Sequence, residues 1–485
     1  MLISFRVITG NSPHTESIHI LDDDSLLNIF HLYRPAILDG DDDNSLGMLG
    51  GRAWRRERWW YNLAQVCQRW RNLILGSTSY LGLCLVCTYG TPVADMLAHS
   101  PHLPLIIDYA NIKWDITAKD EEGIILALAQ RDRVRRIRFR MPVQKLQKLI
   151  MAIEEEYPVL EHLILIPPIA RSTALMLPET LQAPHLHRLV LMGFVPLMAS
   201  RLLVTAVGLV TLSLIAGHPS SHCHFHPKIL LRWLTFMPRL ETLRIGHLSF
   251  PVPNPDVEKQ LMSITTHITL PSLRRFEFRG GSAYMEEVVR WMTAPRLEKV
   301  KIWFSKELIF SVPRLLQFIN TAENLRFASA KFKFSMDEVH VEVYPGEAET
   351  DALSMIVCCR HLDRQVSSAA QIFNSPSQTF STVEHLTLEH EVHSLSSEEH
   401  NEVDRTEWHK LFRSFRNVKT LRVDAGLVKE LSRCLRLDDG EHPLELLPEL
   451  QELRCSGSGN TGDAFTPFID ARKNAGSAVN LVCDL

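Results

Sequence analysis

A chain of 485 residues is too long for one compact core and long enough for a small domain followed by an extended array. With 45% apolar and 22% charged residues it cannot be dominantly disordered. Its 52 basic and 56 acidic residues give a formal charge of -4, which argues against a dedicated nucleic-acid or membrane-surface binder and leaves any electrostatic role to a local patch.

The opening stretch, MLISFRVITGNSPHTESIHI, has neither the basic n-region nor the apolar h-region of a secretory signal. Nine cysteines, an odd number spread thinly, fit free thiols in a reducing compartment. The expectation is an intracellular protein, cytoplasmic and/or nuclear.

In chain order, ILDDDSLLNIF (Ile20 to Phe30) sets an Asp N-cap ahead of a short amphipathic helix carrying Leu26, Leu27, Ile29 and Phe30. A polar, glycine-containing insertion follows, with DGDDDN at Asp39 to Asn44 and RAWRRER at Arg52 to Arg58. Then Leu63, Val66, Cys67, Trp70, Leu73 and Ile74 recur at three- and four-residue spacing, which predicts a second helical unit with one apolar face.

From about residue 130 a pattern recurs: apolar, two variable, apolar, one variable, apolar. It reads VRRIRF, LEHLIL, LHRLVL, LVTLSL, LETLRI, LRRFEF, LEKVKI, VEHLTL, VKTLRV and LQELRC. The first positions, 134, 160, 186, 209, 240, 273, 297, 383, 418 and 450, are 23 to 35 residues apart except for the 86 between 297 and 383. Two degenerate units, near Asn324 to Phe332 and Val339 to Pro345, are expected in that gap. Proline before several copies sets an extended entry and stops any preceding helix. The predicted fold is α/β: an irregular leucine-rich-repeat solenoid with a parallel concave sheet and outer helices, in which no repeat stands alone.

Three segments invite other chemistry. Leu202 to Gly217 is apolar but shorter than the ~20 residues that cross a bilayer, and reads as a buried helix followed by a buried strand. His218, His222, Cys223, His224 and His226 resemble zinc ligands in type but lack their regular pairing, so a solvated loop is expected and no metal. GSGNTG at Gly457 to Gly462 is spaced like a dinucleotide fingerprint, yet a final repeat has the same strand, loop, helix, strand order. With no hydrolase elbow, Walker loop or HExxH helix, no catalytic residue and no cofactor is expected.

In such a sheet the variable residues beside the apolar ones point outward. They are Arg136, Arg138, Arg140, Arg188, Arg244, Arg275, Arg279, Lys299, Lys301, Arg422 and Arg454 against Glu277, Glu389, Asp424 and Glu452, with Trp303 as an aromatic anchor. That excess predicts a face for an acidic or phosphorylated partner.

The helical segment resembles an F-box, whose pattern runs leucine-proline, acidic residues, a leucine-rich helix, then a valine-cysteine-arginine-tryptophan helix. Here these correspond to Leu21, Asp22 to Asp24, Leu26 to Phe30, and VCQRW at Val66 to Trp70, with Asp22 in place of the usual proline. LGLCLVCTYGTPVADMLAHSPHLPLIIDY and AFTPFIDARKNAGSAVNLV are similar to segments of fungal F-box families whose C-terminal part is leucine-rich. The resemblance implies a non-enzymatic adaptor: the F-box, with Leu21, Leu26, Ile29, Phe30, Leu63, Val66, Trp70 and Ile74 in its docking surface or core, binds the linker subunit of a cullin-based ubiquitin ligase. The solenoid then holds a target protein, with no nucleic-acid or membrane partner.

The domains expected are a module over 15–80 with an insertion at about 34–58, a connecting segment and first cap over 81–130, and the solenoid over 131–485. Three alternatives stay open: a helical cap that only shields the first repeat, a leucine-rich-repeat scaffold with a non-functional F-box, and a nucleotide-binding enzyme resting on GSGNTG.

Overall fold

A computed structural model of the protein describes residues 21–35, 57–110, 115–153, 155–167, 175–194, 200–216, 223–224, 226–249, 267–305, 311–346, 350–373, 380–391, 403–436, 444–456 and 462–484. The chain divides into two compact units, 1–138 and 139–485.

The first unit begins with the helix Asp23–Tyr33. Asp22 is extended and its Oδ1 accepts the Ser25 N–H at 2.7 Å, satisfying one of the orphan amide donors of the first turn. Leu26 and Phe30, one turn apart, are its buried residues. The helical unit expected over 63–74 consists of two helices, Trp59–Leu63 and Gln68–Gly76. The first tightens at its end, where the amides of Gln65 and Val66 bond three residues back, and Cys67 is extended and caps the next helix through Sγ.

After the helix Thr78–Leu81 come β1 (Leu85–Cys87), the helix Val93–His99, β2 (Leu105–Tyr109), the helix Ala118–Leu128 and β3 (Val134–Arg140). β1 and β2 pair in parallel. Residues 81–130, expected as a connecting segment, therefore already contain strand and helix in alternation. Thr117 and Asp120 form a reciprocal capping box at the start of the helix Ala118–Leu128. A Cβ on Gly123 of that helix would lie 2.9 Å from Val93 Cγ2, so the close approach to the helix Val93–His99 requires glycine.

The second unit contributes β4 (His162–Ile166), β5 (Arg188–Met192), β6 (Thr211–Ile215), β7 (Cys223–His224), β8 (Thr242–Gly246), β9 (Leu248–Ser249), β10 (Ile268–Thr269), β11 (Arg275–Gly280), β12 (Met292–Thr293), β13 (Lys299–Phe304), β14 (Ser329–Phe334), β15 (Glu338–Tyr344), β16 (Leu353–Cys358), β17 (His385–His390), β18 (Thr420–Asp424), β19 (Glu452–Ser456) and β20 (Asn480–Asp484). Its long sheet runs β4-β5-β6-β8-β11-β13-β16-β15-β14-β17-β18-β19-β20, while β7 with β9 and β10 with β12 form two short parallel ladders apart from it. The unit is a mixed α/β, leucine-rich-repeat-like array with a long, mostly parallel sheet.

One turn explains why the repeats enter their strands alike. The amides of Leu160, Leu186, Leu240, Leu273, Leu297 and Leu450 each donate to the carbonyl three residues back, at 3.0 to 3.3 Å. Pro158, Pro184, Pro238, Pro271, Pro295 and Pro448 sit second in those turns, where a fixed φ near -65° costs nothing. The leucine that closes each turn is buried. Beside it, the amides of Arg188, Thr211, Thr242, Arg275 and Lys299 bond the carbonyls of Glu161, His187, Val210, Glu241 and Arg274, which locks each repeat to the one before.

Within the strands, alternate residues such as Phe276 with Phe278 and Val300 with Ile302 are buried, each contributing ~1.5–3 kcal/mol of burial. The run from Leu202 resolves into the helix and strand expected, the helix Arg201–Thr205, which buries only Leu202 and Leu203, and the strand β6. Among the described residues no helix is long and apolar enough to cross a membrane.

The gap between 297 and 383 departs from the expectation. Instead of two further parallel repeats, β14 and β15 form an antiparallel hairpin in which Ser335 N–H bonds Glu338 O at 2.9 Å. β15 also pairs antiparallel with β16, so the chain overshoots to β14, folds back to β16 beside β13, and returns to β17. The reversal is backed by aromatic packing: Phe332 contacts Phe373 and Phe415, and Phe334 contacts Trp408, with ring centroids 5.3 to 5.8 Å apart.

Candidate functional site

Two surfaces, one in each unit, present side chains beyond what packing needs. In the first unit the eight residues singled out from the sequence separate into three groups. Leu26, Phe30 and Ile74 are core. Leu21, Leu63 and Trp70 are half-buried, Trp70 standing edge-on to Phe30 with centroids 4.8 Å apart. Ile29 and Val66 are exposed, at 44% and 59%.

Leu32 and Tyr33, which sequence reasoning missed, are more exposed still, at 82% and 60%. With Ile29 they stand at i, i+3 and i+4 and so share one face of the helix Asp23–Tyr33. The missed signal was the continuation HLY after Phe30. Singly exposed apolar residues are ordinary, whereas three on one face make a contiguous apolar patch.

The start of that helix is held by Arg69, which pairs with Asp23 at 2.7 Å and donates to Leu21 O at 2.7 Å. The Ser25 amide and hydroxyl hold the Asp22 carboxyl below the usual carboxylate range. The aspartate standing where the family pattern has proline is thus a working N-cap. Most of the insertion lies outside the described residues. Its last members act within the unit: Glu57 pairs with Arg136 at 2.7 Å, and Arg58 donates to Val86 O at 2.9 Å. Arg136 is therefore not free to face a target.

The expected balance of eleven bases to four acids, of which nine bases and all four acids lie in the second unit, is corrected. The strands that carried no recognised repeat bring Lys331 and Lys333 but also Glu338 and Glu342, and the segments beside the strands add Asp351 and Glu391. Arg244 pairs with Glu277 at 3.1 Å, Lys299 with Asp351 at 2.7 Å and Lys331 with Glu389 at 2.9 Å. Lys333 pairs with Glu391, which raises its pKa, and Arg454 pairs with Glu452.

Arg138, Arg140 and Arg188 are half-buried and Arg422 is exposed. Arg275 and Arg279 are exposed and Lys301 half-exposed. Trp303, 36% exposed, lies under the Arg279 guanidinium at 5.1 Å and donates its indole N–H to Cys358 Sγ at 2.8 Å. Arg279, Trp303, Arg275, Lys301 and Lys299 are brought together on two adjacent strands; Arg188 and Arg422 lie elsewhere along the sheet.

Among the described residues no group of three His, Cys, Asp or Glu is placed to hold a metal. His218 and His222 lie outside the described residues, and His226 serves as N-cap of the helix Pro227–Leu234. Residues 457–461 of the glycine-rich stretch also lie outside them, while β19, the helix Thr466–Asn474 and β20 give the strand, helix, strand order expected of a last repeat.

No family model and no curated protein matches this chain. Among solved structures, the leucine-rich-repeat-containing protein LegL7 from Legionella pneumophila matches 83% of this chain and 89% of its own at 12% identity, with a TM-score of 0.26. A superposition that loose adds nothing to the fold read from the strands themselves.

Proposed function

We propose that the protein is a non-enzymatic substrate-recognition adaptor of a cullin-based ubiquitin ligase. The helical module docks on the linker subunit and the strand face of the repeat array holds a target protein. The observation that carries this reading is the exposed apolar face of Ile29, Leu32 and Tyr33 on the segment that resembles an F-box, set on a core of Leu26, Phe30 and Ile74. A helix that served only as a cap would keep its outer face polar.

The repeat array supports the second half of the reading, because a long sheet with an open face offers side chains from many strands to one partner. Co-expression of the full chain with the linker subunit, followed by size-exclusion chromatography, tests the proposal. Co-elution is the expected result. A well-folded chain that elutes alone would leave a leucine-rich-repeat binding protein whose module does not dock.

A further inference from the structure

The strand face of the second unit has its charge arranged unevenly, and the sheet register locates the unevenness. Arg275 lies beside Lys299, Glu277 beside Lys301, and Arg279 beside Trp303. On the other side of Glu277 lies Arg244. Here two carboxylates, Glu277 and Asp351, meet five cations and occupy two of them, Arg244 and Lys299. Arg275, Arg279 and Lys301 are left without a carboxylate within ion-pair distance among the described residues. Beyond β16 the pattern changes, for Lys331, Lys333 and Arg454 are each matched by a glutamate.

The spacing of the three unmatched cations selects among anions. Arg275 and Arg279 are four residues apart on one strand, roughly 13 Å, and Lys301 sits in the row between them on the next strand, ~4.8 Å aside. A single phosphate asks two or three donors to converge on one point, and these diverge. An extended peptide repeats its side chains on one side every ~7 Å. Carboxylates at alternate residues therefore fall in step with the three rows.

Resting on the reading of this face as a partner surface, we propose that β11 and β13 form a docking site for an extended, alternating aspartate- or glutamate-rich segment of a protein partner. Arg275, Lys301 and Arg279 take successive carboxylates. Trp303, held in orientation by its bond to Cys358, offers an apolar wall beside the last of them.

The test uses the full-length chain and a fluorescein-labelled peptide of alternating glutamate and serine ending in leucine, followed by fluorescence anisotropy. Binding that weakens with salt is expected. Each exposed ion pair is a few-fold effect, so changing Arg275, Arg279 and Lys301 together to glutamine lowers affinity about 10- to 100-fold. The same change at Arg201, Arg232 and Lys473, exposed on helices, leaves it within about twofold.

The proposal is overturned if the peptide does not bind, if the two triple variants lose affinity equally, or if the three strand cations hold a singly phosphorylated neutral peptide or a single-stranded oligonucleotide more tightly. Linker co-elution is measured on the same preparation. Loss of peptide binding with the linker complex intact sinks this site alone. Peptide binding without a linker complex keeps the site and sinks the adaptor reading.

Discussion

Replacing Arg472 by methionine should open the last repeat and little else. The side chain is fully buried, and its guanidinium donates to the carbonyls of Leu446 at 3.3 Å, Leu447 at 3.1 Å and Pro448 at 2.9 Å, with a longer contact to Leu450 and a bond to Ser477 Oγ at 3.1 Å. Burial works against the charge and lowers its pKa, yet the carbonyls compensate by surrounding it. Methionine preserves much of the volume but strands these acceptors. An unsatisfied buried group costs ~1–3 kcal/mol, and water reaches some of them, which puts the loss at about 3–5 kcal/mol.

Since repeats lean only on their neighbours, that loss stays local. Hydrogen exchange followed by mass spectrometry should show faster exchange in β19 and β20, with β11 and β13 unchanged. Arg472→Lys, which keeps the charge but loses the planar fork, should fall between. Unchanged exchange at β19 and β20 in Arg472→Met would refute the claim that this arginine ties the approach to β19 onto the helix Thr466–Asn474.

Glu286 reaches from one repeat to accept the amides of Arg314 and Leu315 at 2.9 and 2.8 Å, at the start of the helix Pro313–Asn320. Glu286→Ala should cost about 1 kcal/mol in urea unfolding, and Glu286→Gln, which keeps an acceptor, less. Thiol labelling should follow burial: Cys483 is exposed and reacts first with iodoacetamide, whereas Cys87, whose thiol burial pushes up to about 12, reacts only on unfolding. Mass spectrometry of native and denatured samples reads the order, and early alkylation of Cys87 would contradict the packing of β1.

The regular repeats were legible because one physical demand recurs: a tight turn, with proline second in six copies, a buried leucine or valine, then two inward residues per strand. The hairpin at 329–344 was not, because SAKFKF and EVHVEVY satisfy alternation without that turn and leucine. Two units were expected near 324–332 and 339–345, but two strictly alternating runs separated by a few residues are the signal of a hairpin, not of two further parallel repeats. The charge of the strand face was misjudged for the same reason. Asp351, Glu342 and Glu391 lie outside the motif copies, yet Asp351 and Glu391 pair with Lys299 and Lys333, and the register sets Glu342 beside Lys331. In the helical module, periodicity identified the apolar residues, but with so short a helix it could not separate Leu26 and Phe30, which face inward, from Ile29, which faces out.

Trp60 donates to Cys84 O at 3.3 Å, and Leu81 and Leu83 are buried, so a truncation near Leu81 would damage the first unit as a whole. Exposed substitutions are cleaner: Ile29→Asp with Leu32→Asp should change stability by no more than about 0.5 kcal/mol per site. With Ile29 44% and Leu32 82% exposed, burying both against a partner is worth about 2–4 kcal/mol, or about 30-fold or more in affinity. Calorimetric titration of the linker subunit into the full-length chain is the most direct test. The account predicts binding by the unaltered protein and its loss in the equally well-folded double variant; no heat of binding with the unaltered protein, or equal binding by both, would contradict it.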